Sequence, residues 1–295
     1  MKKILSIVIS AVLLVLTLTA TVSVETSAVN TSKSYKVYNA TTGSYIKSYT
    51  LAPNAVEDKS RGVIDTDDRI VDFGKNGVIK IIRNDGCTGT GFVVDAHTIA
   101  TAAHCVATKP DKNATYYNTA SISKILIFKP DGTIEQTITN PKQYHIPNNF
   151  ASTPGTTNRY DYALITVEQD LSAYANFNLG IMLDSFQAKH KLISVTGFPG
   201  EVNGQTVNDG DNHVMYTGNG YVVDNKYDAD LQFCYDCDVS GGNSGGPVYI
   251  SSAYDGKAYY TVIGIVTAEH VERNIATRIT TDLLHFYKNN PNITY

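Results

Sequence analysis

The chemistry legible in this chain centres on a serine set among four glycines, in Asp238-Val239-Ser240-Gly241-Gly242-Asn243-Ser244-Gly245-Gly246-Pro247, directly before the apolar run Val248-Tyr249-Ile250. Glycine reaches backbone angles that a side chain forbids, so the chain can turn sharply at Ser244 and aim the amides of Gly242 and Ser244 at one point. Two converging amides form an oxyanion hole for the negative oxygen that develops when a hydroxyl attacks a carbonyl, and losing one donor typically costs on the order of 3 kcal/mol of barrier. A serine hydroxyl also needs a base to take its proton and a carboxylate to orient that base. Of the seven histidines, His104 ends Thr98-Ile99-Ala100-Thr101-Ala102-Ala103, where small neighbours leave an imidazole room, and Asp161 heads Tyr162-Ala163-Leu164-Ile165-Thr166-Val167. Taken singly, a glycine turn or a histidine is an ordinary structural feature. Together the three roles make a candidate catalytic set.

Strands must position these residues. Short runs rich in β-branched residues, punctuated by Gly, Pro, Asn and Asp, predict strands at 77–82, 91–94, 122–128 and 163–167, which carry His104 and Asp161. A second set at 192–196, 214–217, 220–223, 248–250 and 259–266 carries Ser244. Twenty tyrosines, 22 glycines and no tryptophan suit the same β-rich reading. Only 281–288 reads as helix, with apolar residues at helical spacing and Lys288 in its last turn before Pro291. It is expected to be a packing helix, with His285 structural. The fold class is therefore all-β, two β units with a C-terminal helix and the site shared between them.

The order His104, Asp161, Ser244, with gaps of 57 and 83 residues, is that of the chymotrypsin-type arrangement and not of the subtilisin or α/β-hydrolase types. Gly86-Cys87-Thr88-Gly89, Ala103-His104-Cys105, Asp161-Tyr162-Ala163-Leu164, Gly197-Phe198-Pro199-Gly200 and Gly241-Gly242-Asn243-Ser244-Gly245-Gly246-Pro247 together resemble the bacterial glutamyl endopeptidases, a branch of the chymotrypsin-like serine proteases. The likeness runs from Val63 to the C-terminus. It implies a two-barrel chymotrypsin-like fold with the site in the cleft, and a serine endopeptidase acting through an acyl-enzyme on protein or peptide substrates without metal or organic cofactor.

The family reads an acidic side chain before the scissile bond with a histidine and a hydroxyl residue. The matching positions here are Val266, next to Thr267, and Val239, while Asp238 stands where trypsin-like enzymes pair with Lys or Arg. Preference for Glu/Asp, which the family likeness favours, and preference for Arg/Lys therefore both stay open, with Glu269 and His270 as further candidates for the pocket. Trypsin-like relatives also place an aspartate before the nucleophile to pair with a freed N-terminus. Asn243 has no such charge, so activation is expected to act through a terminus at Gly62 or Val63 docking near the pocket. A different class, a non-catalytic secreted binding module that kept the fold, conflicts with the intact triad residue types.

Met1-Lys2-Lys3 followed by an apolar stretch, with Thr26-Ser27-Ala28 as a small-residue cleavage site, reads as a signal peptide over 1–28. An uncleaved anchor is the competing reading. Residues 29–61 are polar, lack sustained periodicity and end in Glu57-Asp58-Lys59-Ser60-Arg61, as a propeptide or a tether would. The peptidase domain is then 62–295, secreted, monomeric and without stable membrane association. The formal charge of -4 becomes -8 without the seven basic and three acidic side chains of 1–61, which argues against nucleic acid as a partner.

Four cysteines in a secreted chain read as disulfides. Cys87 with Cys105 would hold the loop of His104 against its own unit, as a bridge seen widely in this fold does. Cys234 with Cys237 is read as a small loop bridge in preference to a redox pair or metal half-site. Asn208-Asp209-Gly210-Asp211-Asn212 lacks the closing glutamate of an EF-hand loop and is expected to be a solvated turn.

Overall fold

The computed structural model describes residues 33–38, 45–51, 67–108, 118–152, 159–181, 191–209, 211–223, 230–269 and 273–289. The expected signal peptide, the expected cut at Arg61 and His270 lie outside them.

The first unit is an antiparallel sheet of seven strands in the order Ile134–Ile138, Ile122–Phe128, Val78–Arg83, Thr88–Asp95, Thr98–Thr101, Ala163–Thr166, Gln143–His145. Its β-branched runs follow from burial: Ile79, Ile81, Ile99, Ile125 and Ile127 are all fully buried in one core. The second unit closes on itself. Pro247–Tyr254, Leu192–Gly197, Tyr216–Val223, Gln232–Tyr235, Asn274–Arg278 and Lys257–Ala268 pair in sequence, and the last pairs back to the first. Closure leaves these six strands no open edge, the simplest protection against edge-to-edge aggregation. The expected all-β, two-unit chymotrypsin-like architecture is thus present, as a rolled sheet beside a six-stranded barrel.

Outside the barrel, Phe177–Ile181 runs parallel to Lys257–Ala268. The hairpin Lys33–Tyr38 and Tyr45–Leu51 pairs onto it antiparallel. Two strands within the stretch read as a propeptide or tether thus join this sheet.

The C-terminal helix Thr281–Asn289 buries Leu283, Leu284 and Tyr287 and leaves His285 exposed. Its cap is Thr280, whose Oγ1 accepts the Leu283 amide at 3.2 Å. The Phe286 ring meets Tyr162 edge-on at 5.2 Å, so the helix braces the chain beside Asp161.

Candidate active site

Strand register brings the first two residues together. Ala163 pairs with Thr101 in an antiparallel ladder, so two steps outward from each strand end Asp161 arrives beside Ala103 and His104. His104 lies in the helical turn Ala103–Val106, where early amides lack a partner within the helix. The fully buried Asp161 serves two donors there. Its Oδ1 accepts the His104 amide at 2.9 Å and its Oδ2 accepts Nδ1 at 2.6 Å. A proton on Nδ1 leaves Nε2 as the ring's acceptor. Burial pulls the imidazole pKa down, but the Asp161 carboxylate, with the Cys105 thiol beside it, holds it well above the ordinary value of 6.5.

The glycines around Ser244 answer to specific neighbours. Gly245 has φ +84°, and a methyl there would lie 2.1 Å from Thr101 Oγ1 and 2.2 Å from the Thr90 carbonyl oxygen. Only glycine lets the serine loop lie this close to the strand leading to His104. Gly242 has φ +100°, and its Cα backs onto the Phe198 carbonyl. The Gly241 carbonyl accepts the Gly200 amide at 2.6 Å. Because a trans peptide points its C=O and N–H in opposite directions, that bond turns the Gly242 amide away from Gly200. Asn243, Gly245 and Gly246 donate their amides to Ser240, Val266 and Asn243 carbonyls at 3.0, 2.8 and 2.9 Å. The Gly242 and Ser244 amides donate to no acceptor among the described residues, which leaves both for an incoming oxygen.

Thr90 joins the two units at this point. Its amide donates to the Ser244 carbonyl at 2.8 Å, its hydroxyl donates to the Gly242 carbonyl at 2.7 Å and accepts the Phe198 amide at 3.0 Å, and its carbonyl accepts the Thr101 hydroxyl at 2.7 Å. The Cys105 thiol adds a bond to the Ser244 carbonyl at 3.3 Å. These contacts place Ser244 beside the turn of His104. No hydrogen bond joins His104 Nε2 to Ser244 Oγ among the described residues, a contact that in free enzymes is often long and tightens with substrate.

Residues 89–257, more than half of the chain, match the family model of the trypsin-like peptidase domain. The chain belongs to the trypsin-like peptidases. Its fold is similar to the solved structure of a Glu endopeptidase in complex with MPD, with a TM-score of 0.60 and 17% identity over 78% of this chain and 99% of that one. No curated protein matches.

Beside Ser244 the trypsin-like peptidase has a pocket of about 190 Å³ lined by Val239, Ser240, Gly241, Val266, Thr267, Ala268 and Glu269. Val239, Val266 and Thr267, the substrate-binding candidates, are among its lining. Asp238 does not line the pocket: its carboxylate accepts the Asp68 amide at 3.1 Å, and burial raises its pKa. Ser240 donates its hydroxyl proton to the Glu201 carbonyl at 2.8 Å, and Thr267 donates its own to Ile275 at 3.2 Å. Glu269 is the charged residue among those lining the pocket.

The expected disulfides are not seen in this structure, where all four cysteines are free. Cys87 is exposed, while Cys105 is buried with its thiol turned to Ser244. Cys234 belongs to Gln232–Tyr235 and Cys237 lies three positions on. The Cys237 thiol faces the Ile193 carbonyl, and burial, reinforced by the carboxylates of Asp236 and Asp238, holds its pKa well above 9.0.

Of the turn expected at 208–212, Asp209, Asp211 and Asn212 are exposed as in a solvated turn, but Asn208 is not. Asn208 is buried, gives its amide group to the Pro199 and Val214 carbonyls at 2.7 and 2.8 Å, and accepts the buried Lys80 ammonium at 3.0 Å. It braces Phe198-Pro199 behind Gly242. Thr90 and Lys80 are the functional supports that sequence reasoning missed. Thr90 follows the quoted Gly86-Cys87-Thr88-Gly89 directly. For Lys80 the signal was a lone charge inside an isoleucine-rich strand.

Proposed function

We propose that this trypsin-like peptidase is a secreted serine endopeptidase in which His104 is the general base, Asp161 its orienting carboxylate and Ser244 the nucleophile. The observation that carries this reading is the double bond pattern of Asp161, which fixes both the backbone and the tautomer of His104. His104 Nε2 takes the Ser244 proton as Oγ attacks the substrate carbonyl carbon. The carbonyl oxygen becomes an oxyanion held by the Gly242 and Ser244 amides. The imidazolium gives its proton to the leaving amine nitrogen as the C–N bond breaks. Water, deprotonated by His104, then attacks the acyl-enzyme and returns Ser244 to its starting state.

Treatment of the purified chain with a fluorophosphonate tests the assignment. Peptide mapping by mass spectrometry is expected to find one adduct, on Ser244. A folded, processed chain that does not react, as the binding-module reading requires, rejects the peptidase function. Recovery of the chain from culture medium with its N-terminus beyond residue 28 tests secretion.

The raised His104 pKa sets the pH profile. Imidazolium cannot accept the serine proton, and a pKa held above 6.5 keeps the ring protonated to higher pH. Activity is therefore lost as pH falls through that raised value. In kcat/KM measured from pH 5 to 9 the acid limb should lie above 6.5, and a limb below it contradicts the paired geometry.

The pocket supports Arg or Lys over Glu or Asp before the scissile bond. A substrate carboxylate needs donors, yet Ser240 and Thr267 have committed theirs, Val239 and Val266 have none, and Glu269 adds a carboxylate of the wrong sign. A cationic side chain meets the Glu269 carboxylate instead. Matched peptides should give higher kcat/KM with Arg and Lys than with Glu and Asp. Glu269→Gln should cut the Arg-to-Glu ratio about 5-fold, since pairs open to solvent contribute up to about 1 kcal/mol. Faster cleavage of Glu peptides by the wild type overturns this preference and leaves the triad assignment untouched.

A further inference from the structure

Asn243, the residue before Ser244, is 1% exposed and neutral, so the loop needs a partner other than an ion pair at that position. The partner is Arg69, whose side chain is only 5% exposed. Its Nε donates to Asp67 Oδ1 at 2.8 Å. One terminal nitrogen, Nη1, donates to Ser240 Oγ and Asn243 Oδ1, each at 3.3 Å. The other, Nη2, donates to Asp67 Oδ2 at 2.5 Å and to the Glu201 carbonyl at 2.7 Å. A guanidinium has five N–H donors in a fixed plane, and here all five have an acceptor.

The acceptors come from three separated segments. Asp67 is anchored from its far side, as the Asn203 amide donates to Oδ2 at 3.0 Å. Asn243 Oδ1 also accepts the Ser240 amide at 3.0 Å, and the Asn243 amide donates to the Ser240 carbonyl at 3.0 Å. Arg69 thus grips both ends of a closed four-residue turn, 240–243, that contains the Gly241–Gly242 peptide. It also fixes Glu201, next to Gly200, whose amide sets the direction of that peptide. Gly218 leaves room for the arginine stem, since a methyl there would lie 3.2 Å from Arg69 Cγ.

We propose that Arg69, locked by Asp67, is a positioning residue that keeps the Gly242 and Ser244 amides aimed at one point. It supplies from within the chain the order that a freed N-terminus would otherwise supply. The inference rests on the serine peptidase reading. Lysine cannot replace it, because an ammonium is a point charge and cannot span Asp67, Glu201, Ser240 and Asn243 in one plane.

The test uses the purified full chain, processed as the host leaves it, carrying Arg69→Ala or Arg69→Lys. Misaligning oxyanion donors acts on the transition state, so kcat should fall about 100-fold in Arg69→Ala, within the range for losing one donor, while KM changes less than about 3-fold. Arg69→Lys should recover less than a tenth of the wild-type kcat. Added guanidinium or methylguanidinium should restore Arg69→Ala saturably, with no effect on wild type. Thermal unfolding identifies a variant that does not fold, and Arg69→Lys then carries the decision. Wild-type kcat in either folded variant, a loss seen only in KM, or a loss in Arg69→Ala that no guanidinium restores overturns the positioning role. A wild-type chain inert to the fluorophosphonate overturns the peptidase reading instead, so the two failures are distinct.

Discussion

Ser244→Ala is expected to lower kcat by about 10⁶-fold, the scale seen when a serine peptidase loses its nucleophile, while leaving the protein folded. The loop does not depend on the hydroxyl. Its order comes from the Ser244 carbonyl, held by Thr90 and Cys105, and from the positive-φ glycines at 242 and 245. The melting transition should therefore shift by no more than an ordinary surface substitution would, about 0.5 kcal/mol in stability. Residual peptide hydrolysis by the rigorously purified variant, set against its circular dichroism melt, checks both halves. Near-normal turnover would remove Ser244 from the mechanism.

Asp161→Asn should cost about 10⁴-fold in kcat, the magnitude known for the same change in a serine triad. An amide keeps one acceptor oxygen and replaces the other with an N–H donor. If the oxygen stays with the His104 amide, the new donor faces Nδ1 and moves the ring proton to Nε2. Nε2 then has no lone pair for the serine. Removing the carboxylate also removes the main influence that raises the His104 pKa, so the acid limb of any residual activity should move to lower pH. A variant with unchanged pH dependence, or with more than a tenth of wild-type kcat, contradicts the tautomer argument.

The residue types that carry the chemistry were legible because their local surroundings are distinctive: small residues before His104, a strand after Asp161, glycines about Ser244. Strands were legible where apolar runs were continuous, and Ile122–Phe128 matches its predicted bounds. Other elements were hidden by glycine. The runs 214–217 and 220–223 read as two strands, yet Tyr216–Val223 is one. Gly218 and Gly220 are not breakers. They admit the Asp238 carbonyl at 3.2 Å and the Asp236 carboxylate at 2.3 Å, measured from where a methyl would stand, a close approach that strand glycines often serve. Ile134–Ile138 went unread because Glu135, Gln136 and Thr137 dilute its apolar pattern.

What no local pattern could show was how distant segments use up bonding capacity. Asp238 stood at the position of a specificity carboxylate, but the Asp68 amide, 170 residues upstream, claims it. The cysteines were read by compartment and count, whereas Cys105 answers to a carbonyl 139 positions away. Asn243 was read as a missing charge. Its partner, Arg69, is 174 residues distant and adjoins a charged run that looks like surface.

The bonds of Thr90 also make activity a property of both units together. Its hydroxyl reaches Gly242 across 152 residues and receives Phe198 across 108, contacts whose loop-closure entropy must be met before they form. A molecule with only its first sheet assembled has His104 and Asp161 in register but no ordered amide pair. One with only the barrel assembled has the serine but no base. Proteolytic competence therefore requires both units docked, since neither alone holds the base, the nucleophile and the ordered amide pair.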